Sequence, residues 1–195
     1  PASSGSSTSG LNSLFVYGTQ LEVGSYATSY IPSLSGSTTT RLADACNNSG
    51  SAQDFNSESG VLYAEIAALA DDLTNRKISI SNGSSTQRIL LSYSTISNAL
   101  VFQVVNSTLQ VNLSYILTDI KLLTKVAVKW KLNDFSFWVN GVEVAIDSSG
   151  LTPIGLTELS FDRGFAGENF YGKIKDLQVF TTALTDEQLA ALTTI

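Results

Sequence analysis

TKVAVKWKLNDFSFWVNGVEVAID, residues Thr124 to Asp147, spells out three successive antiparallel strands. Val126, Val128 and Trp130 alternate with Ala127, Lys129 and Lys131, the period of two that puts one face of a strand toward a core. Asn133-Asp134 supplies a turn, and Asn140-Gly141 is a pair that tolerates the positive φ values of a tight hairpin.

The same rhythm extends in both directions. Upstream, Leu62, Ala64 and Ile66 oppose Tyr63, Glu65 and Ala67. Ile78 and Ile80 lead into Asn82-Gly83, after which Ile89, Leu91 and Tyr93 alternate with Arg88, Leu90 and Ser92. Leu100, Phe102 and Val104 precede a turn at Asn106, and Leu109, Val111, Leu113 and Tyr115 alternate with Gln110, Asn112 and Ser114. Downstream, Ile174 and the pair Leu177 and Val179 fall on opposite parities, so the last strand needs a β-bulge near Lys175-Asp176 to keep all three inward. Thr185-x-x-Gln188 is then a capping box, with Leu184 and Leu189 placed as a hydrophobic staple, which predicts a helix over about 186–192. Short strands at regular turn spacing, with one helix, predict an all-β, two-sheet antiparallel sandwich.

Two blocks, the Thr124–Asp147 meander and FYGKIKDLQVFTTALTDEQLAAL from Phe170 to Leu192, resemble laminin-G-like, concanavalin-A-like jelly-roll domains. The resemblance spans residues 40–195 and implies a jelly roll with one short C-terminal helix. It also implies that Phe137 and Val139 face the core, which would turn Trp138 to the other side. A second resemblance lies in 13–39, an N-terminal strand and junction. Gln20-Leu21-Glu22, Ala27-Thr28-Ser29-Tyr30-Ile31-Pro32 and, just beyond it, Thr40-Arg41 are similar to a segment of phage and prophage virion proteins that links one β-sandwich to the next. Residues 1–12, rich in Ser, Gly and Thr, read as a flexible arm, and a start at Pro1 reads as a processed product or an excised domain.

Composition narrows the partners. A net charge of −6 without a Lys/Arg-rich run gives nucleic acid no electrostatic footing, and no apolar stretch reaches the ~20 residues of a membrane span. The single Cys46 cannot form a disulfide within the chain. With no histidine there is no Ser-His-Asp or Cys-His machinery and no His-ligated zinc. The Glu-x-Asp-x-x-Glu spacing of retaining glucanases, two acids on one strand face, is also missing, and Glu65, Glu143 and Asp71-Asp72 read as solvated strand or turn acids. The chain is therefore not expected to be an enzyme.

Binding chemistry remains. Domains of the resembled class often hold Ca²⁺ with hard oxygens at the sandwich rim, which makes Asp162 and Glu168, bracketing the loop RGFAGEN, candidate ligands together with Asp44, Asp54 and Asp176; turn-fixing acids are the alternative reading. Sugar recognition combines an aromatic platform with amide and carboxylate hydrogen bonds. Trp138, Asn140, Tyr93, Tyr26 and Tyr30 are the candidates for it, while Trp130 shares the face of Val126 and Val128 and reads as core. Asn47, Asn82, Asn106 and Asn112 open N-glycosylation triplets, which a phage-like origin would leave unmodified. The expectation is a non-catalytic domain binding a cell-surface glycan or host receptor, on a virion or extracellular surface and beside other virion subunits. The alternative is a decoration or assembly module of a capsid or tail without a small ligand, and a third reading is a glycan hydrolase or lyase with an atypical site. Apolar and aromatic residues in Leu14–Tyr30 further suggest a homo-oligomer such as a trimer.

Overall fold

The computed structural model describes residues 47–195. The arm, the junction with Tyr26 and Tyr30, Asp44, Cys46 and the oligomer argument built on Leu14–Tyr30 lie outside the described residues.

Ten strands and one helix follow in order: β1 Ser59–Ala68, β2 Arg76–Ser81, β3 Gln87–Tyr93, β4 Ala99–Asn106, β5 Thr108–Ile116, β6 Thr124–Lys131, β7 Phe135–Val139, β8 Val142–Asp147, β9 Glu158–Ser160, β10 Gly172–Phe180 and α1 Asp186–Thr193. They form two five-stranded antiparallel sheets, β10-β1-β6-β7-β8 and β5-β4-β3-β2-β9, packed as a jelly-roll sandwich. The quoted meander is β6-β7-β8. Asn140 (φ 49°) and Gly141 (φ 84°) close its second hairpin, both in the left-handed region.

Alternation decides what lies between the sheets. Leu62, Ala64 and Ile66 of β1, Val126, Val128 and Trp130 of β6 and Phe135, Phe137 and Val139 of β7 meet Ile78, Ile80, Ile89, Leu91, Phe102 and Val104 from the other sheet. Trp130 is fully buried and donates its ring N–H to the Asn56 carbonyl at 3.0 Å. The expected bulge is present: Glu65 pairs with Asp176 and Ile66 with Ile174, so Lys175 is the extra residue and Ile174, Leu177 and Val179 fall opposite the core-facing residues of β1; Leu177 and Val179 pack on the core, but Ile174, expected inward, is left exposed.

The first sheet has a second apolar layer on its outer face. There Val61, Tyr63, Ala127 and Trp138 are covered by Leu189 of α1, with Phe180, Leu184, Ala190 and Leu192 packed around them. The helix is held at its start by the full capping box, Gln188 N–H on Thr185 Oγ1 and Thr185 N–H on Gln188 Oε1. At its end Thr193 Oγ1 accepts from the Gly141 N–H of the hairpin. The middle of the first sheet is thus covered on both faces, and the second keeps its outer face for a loop and solvent.

Candidate functional site

The outer face of the second sheet follows from the register. Ser79 opposes Leu90, Leu90 opposes Gln103, and Gln103 opposes Asn112, so these four form one row across β2, β3, β4 and β5. Beside it run Glu158, Ser81, Arg88 and Val105, and on the other flank Lys77, Ser92, Val101 and Ser114. The face is chemically divided. At the β2-β3 end Ser79, Ser81 and Leu90 are buried, whereas Asn112 and Ser114 at the β5 end are exposed. The Gln103 amide donates to Asn112 Oδ1 at 3.1 Å, leaving two side-chain amides and a hydroxyl facing water.

What covers the β2-β3 end is the loop between β9 and β10, the Gly-containing RGFAGEN segment. Its base is fastened by aromatic packing: Phe161 and Phe170 lie 6.3 Å apart, and Phe170 stacks on Tyr93 at 6.0 Å. The Phe170 N–H bonds the Phe161 carbonyl at 2.9 Å. Gly164, at φ +89°, then lies on the strand. A Cβ there would meet Ser81 Cβ at 3.0 Å and Ser79 Oγ at 3.3 Å, so the close approach and the backbone angle both require glycine. Ser81 Oγ donates to the Gly164 carbonyl at 3.2 Å, and Lys77 Nζ meets Glu168 Oε2 at 2.8 Å.

This loop brings Arg163 beside Arg88. Arg88 Nη1 donates to the Arg163 carbonyl at 2.6 Å, and Arg163 Nε donates to the Ala166 carbonyl at 2.7 Å. Phe165, left 37 % exposed, has the Arg163 guanidinium 4.2 Å and the Arg88 guanidinium 5.0 Å from its ring centre. Burial and the neighbouring Arg163 charge lower the Arg88 pKa, with Glu168 pulling the other way. Arg88 Nε is buried without a partner among the described residues. The arrangement offers cationic donors at one end, an exposed aromatic ring beside them, and a strip of amides and hydroxyls leading away across β4 and β5.

The residues proposed from the sequence are placed differently. Trp138 is 7 % exposed, lies under α1 and donates its ring N–H to Ser136 Oγ at 3.0 Å, so it has no free face for a sugar. The parity argument that turned it away from the core holds, but the outer face it reaches is covered. Asn140 Oδ1 accepts from the Lys125 N–H at 3.0 Å and serves its hairpin. Tyr93 is 1 % exposed, inside the sandwich, and its burial pushes its hydroxyl pKa far up. Its part in the site is to anchor the loop through Phe170.

The candidate calcium carboxylates among the described residues are engaged by groups of the protein itself. Asp162 is buried and accepts from the Gly164 N–H at 2.6 Å. Glu168 is occupied by Lys77 and by the Asn75 amide at 3.0 Å; burial alone would raise its pKa, but these two partners hold it below the usual range. Asp176 is on β10, where it accepts from Gln178 at 2.9 Å, and Asp54 binds the Ser51 backbone and hydroxyl. No group of three or more metal-binding side chains gathers among the described residues.

Compared as a sequence, the chain matches no protein-family model and no curated protein. Its fold is similar to solved structures. The CBM40 domain of the Ruminococcus gnavus IT-sialidase, bound to α2,3-sialyllactose, superposes with a TM-score of 0.62 at 16% identity, covering 78% of this chain and 97% of that one. The leech intramolecular trans-sialidase complexed with 2,7-anhydro-Neu5Ac gives 0.59 at 16% identity, over 78% of this chain but 27% of that much longer one. Domain 4 of AbnA, a GH43 extracellular arabinanase from Geobacillus stearothermophilus, in complex with arabinotriose, gives 0.59 at 12% identity, over 74% and 70%. At these identities the likeness is one of fold.

Proposed function

We propose that this chain is a non-catalytic glycan-binding domain whose ligand lies across the outer face of the β5-β4-β3-β2-β9 sheet, against the Phe161–Phe170 loop. The observation that carries the reading is the composition of that face: exposed Asn112 and Ser114 with the half-buried Gln103 amide run up to an exposed Phe165 flanked by two guanidinium groups. Amides and hydroxyls pair with sugar hydroxyls, while an aromatic ring accepts a sugar's apolar C–H face. Support comes from the fold neighbours solved with sialyllactose and with arabinotriose. A shallow face of this kind binds weakly per site, and display in several copies raises its avidity.

Absence of catalysis is part of the proposal. Glu65 is paired with Lys175 at 2.8 Å on the opposite sheet's outer face, and Glu143 lies beside α1, so neither acid faces the candidate site. The segment around Gln20-Leu21-Glu22 and Ala27 to Pro32 supports placing the domain on a phage-like virion, in a tail fibre or appendage contacting the host surface. A glycan array probed with the purified chain tests the reading. Binding to defined saccharides, lost in Asn112→Ala and Gln103→Ala variants of normal stability, is expected. No saccharide bound, or binding untouched by those variants, would overturn it.

A further inference from the structure

Arg88 and Arg163 hold more hydrogen-bonding capacity than the protein uses. A guanidinium carries five N–H donors. Among the described residues only one of Arg88, Nη1, and one of Arg163, Nε, are engaged, both by backbone carbonyls of the same loop. Neither forms an ion pair there: of the loop's acids, Glu168 is taken by Lys77 and Asp162 accepts from the Gly164 N–H. The Arg88 Nε–H is buried with no acceptor, and an unmet buried donor is unfavourable.

Lys77, Arg88 and Arg163 stand with Asp162, Glu158 and Glu168 around this end of the sheet, and the carboxylates are engaged elsewhere: Glu168 by Lys77 and Asn75, Asp162 by the Gly164 N–H, Glu158 by the Ser81 hydroxyl. The two arginines are held at one ring, Phe165, by β3 on one side and by a loop fixed through Gly164 and the Phe161–Phe170 base on the other. Folding therefore brings two like charges together, and an oxyanion placed against them would relieve the repulsion and meet the spare donors.

We infer that Arg88 and Arg163 form an anion subsite that makes the glycan ligand an acidic one, a saccharide carrying a carboxylate or a sulfate ester. This rests on the glycan-binding reading and adds the chemical class of the sugar. The fold neighbours do not decide it, since one was solved with an acidic trisaccharide and another with a neutral one. Arg163 supplies its two terminal N–H₂ groups from the loop side, Arg88 its second terminal nitrogen from the sheet, and the amide strip of β4-β5 takes the neutral hydroxyls.

The test is calorimetric titration of the full chain with four probes: lactose, sialyllactose, sulfated lactose and inorganic sulfate. Acidic saccharides are expected to bind at least about tenfold more tightly than lactose, and their affinity alone should fall with added salt. Arg163→Gln should remove that preference, bringing sialyllactose and sulfated lactose to the affinity of lactose measured with the same variant. Arg88→Lys, which keeps a charge but loses the fork, should reduce it, and this second variant retains a readout if the first is unstable. Sialyllactose and sulfated lactose distinguish carboxylate from sulfate as the preferred anion. Equal binding of lactose and both acidic forms would overturn the inference while the glycan reading stands. Binding of inorganic sulfate with the affinity of the acidic sugars would also overturn it, since the saccharide would then contribute nothing. Failure of all saccharides to bind would sink the glycan reading itself.

Discussion

Replacing Trp138 with alanine separates a structural role from a ligand-binding one. The ring is 7 % exposed, lies with Val61, Tyr63, Ala127 and Leu189, and donates its N–H to Ser136, itself buried. Truncation opens a cavity beneath α1 and leaves Ser136 Oγ without its donor. Large-to-small changes of this kind lose about 3–5 kcal/mol. In a domain of this size each kcal/mol moves the melting temperature by roughly 2–4 °C, so a fall of roughly 6–20 °C is expected. Urea unfolding followed by far-UV circular dichroism, with calorimetry on the same samples, reads both quantities. Leu189→Ala, which empties the same layer from the helix side, should lose about 2–5 kcal/mol. The double variant should lose less than the sum, because the two side chains line one cavity. Binding of saccharide by the folded fraction should be unchanged in all three. A Trp138→Ala protein less than ~1 kcal/mol weaker than the parent, or one of normal stability that no longer binds, would refute the packing argument.

Gly60→Ala should lower stability by about 1–3 kcal/mol in urea titrations, because a Cβ would stand 2.4 Å from Trp130 Cζ2 and 2.7 Å from the Phe180 carbonyl. Thr185→Ala removes the side-chain oxygen that caps α1 and should cost about 1 kcal/mol, with faster amide exchange concentrated in 186–193. Acidification should loosen the Phe161–Phe170 loop. The Glu168 pKa is depressed in the folded state, so its contribution is complete above the unfolded value of about 4.3 and is lost as pH falls through the folded one. Protection factors of the amides in 163–169, which correct for the intrinsic pH dependence of exchange, should therefore fall at low pH in the parent and stay level in Glu168→Gln. With Asp162 and Glu168 committed to protein donors, millimolar Ca²⁺ and EDTA should give the same melting temperature, and a calcium-dependent rise would show that the loop rearranges around the ion.

Local patterns in this sequence carry the fold because each is a short-range physical constraint. Asn140-Gly141 can close a hairpin in isolation, Thr185 and Gln188 cap one another across a single turn, and the parity break between Ile174 and Leu177 marks the bulge, although Ile174 itself stays 38 % exposed at the strand's end. The same parity already placed Tyr93 with Ile89 and Leu91, and that reading, followed through, removes it as a sugar ligand. Period-two alternation tells which side of a sheet a residue takes, but not what lies over that side. Trp138 and Gln103 are both outward-facing residues in strands, yet one is roofed by a helix about 50 residues later and the other is left half-open to water. For the arginines the separation is 75 residues, and they meet only because three independent contacts fold a loop back on the sheet: the Phe161–Phe170 base, Gly164 on Ser79 and Ser81, and Glu168 on Lys77. Each partner gave a faint local sign, an outward Arg in β3 and an Arg-Gly-Phe in a glycine-rich loop. Their combination into one site is a property of tertiary structure, since none of the three contacts is encoded at a spacing that either strand or helix periodicity can reveal.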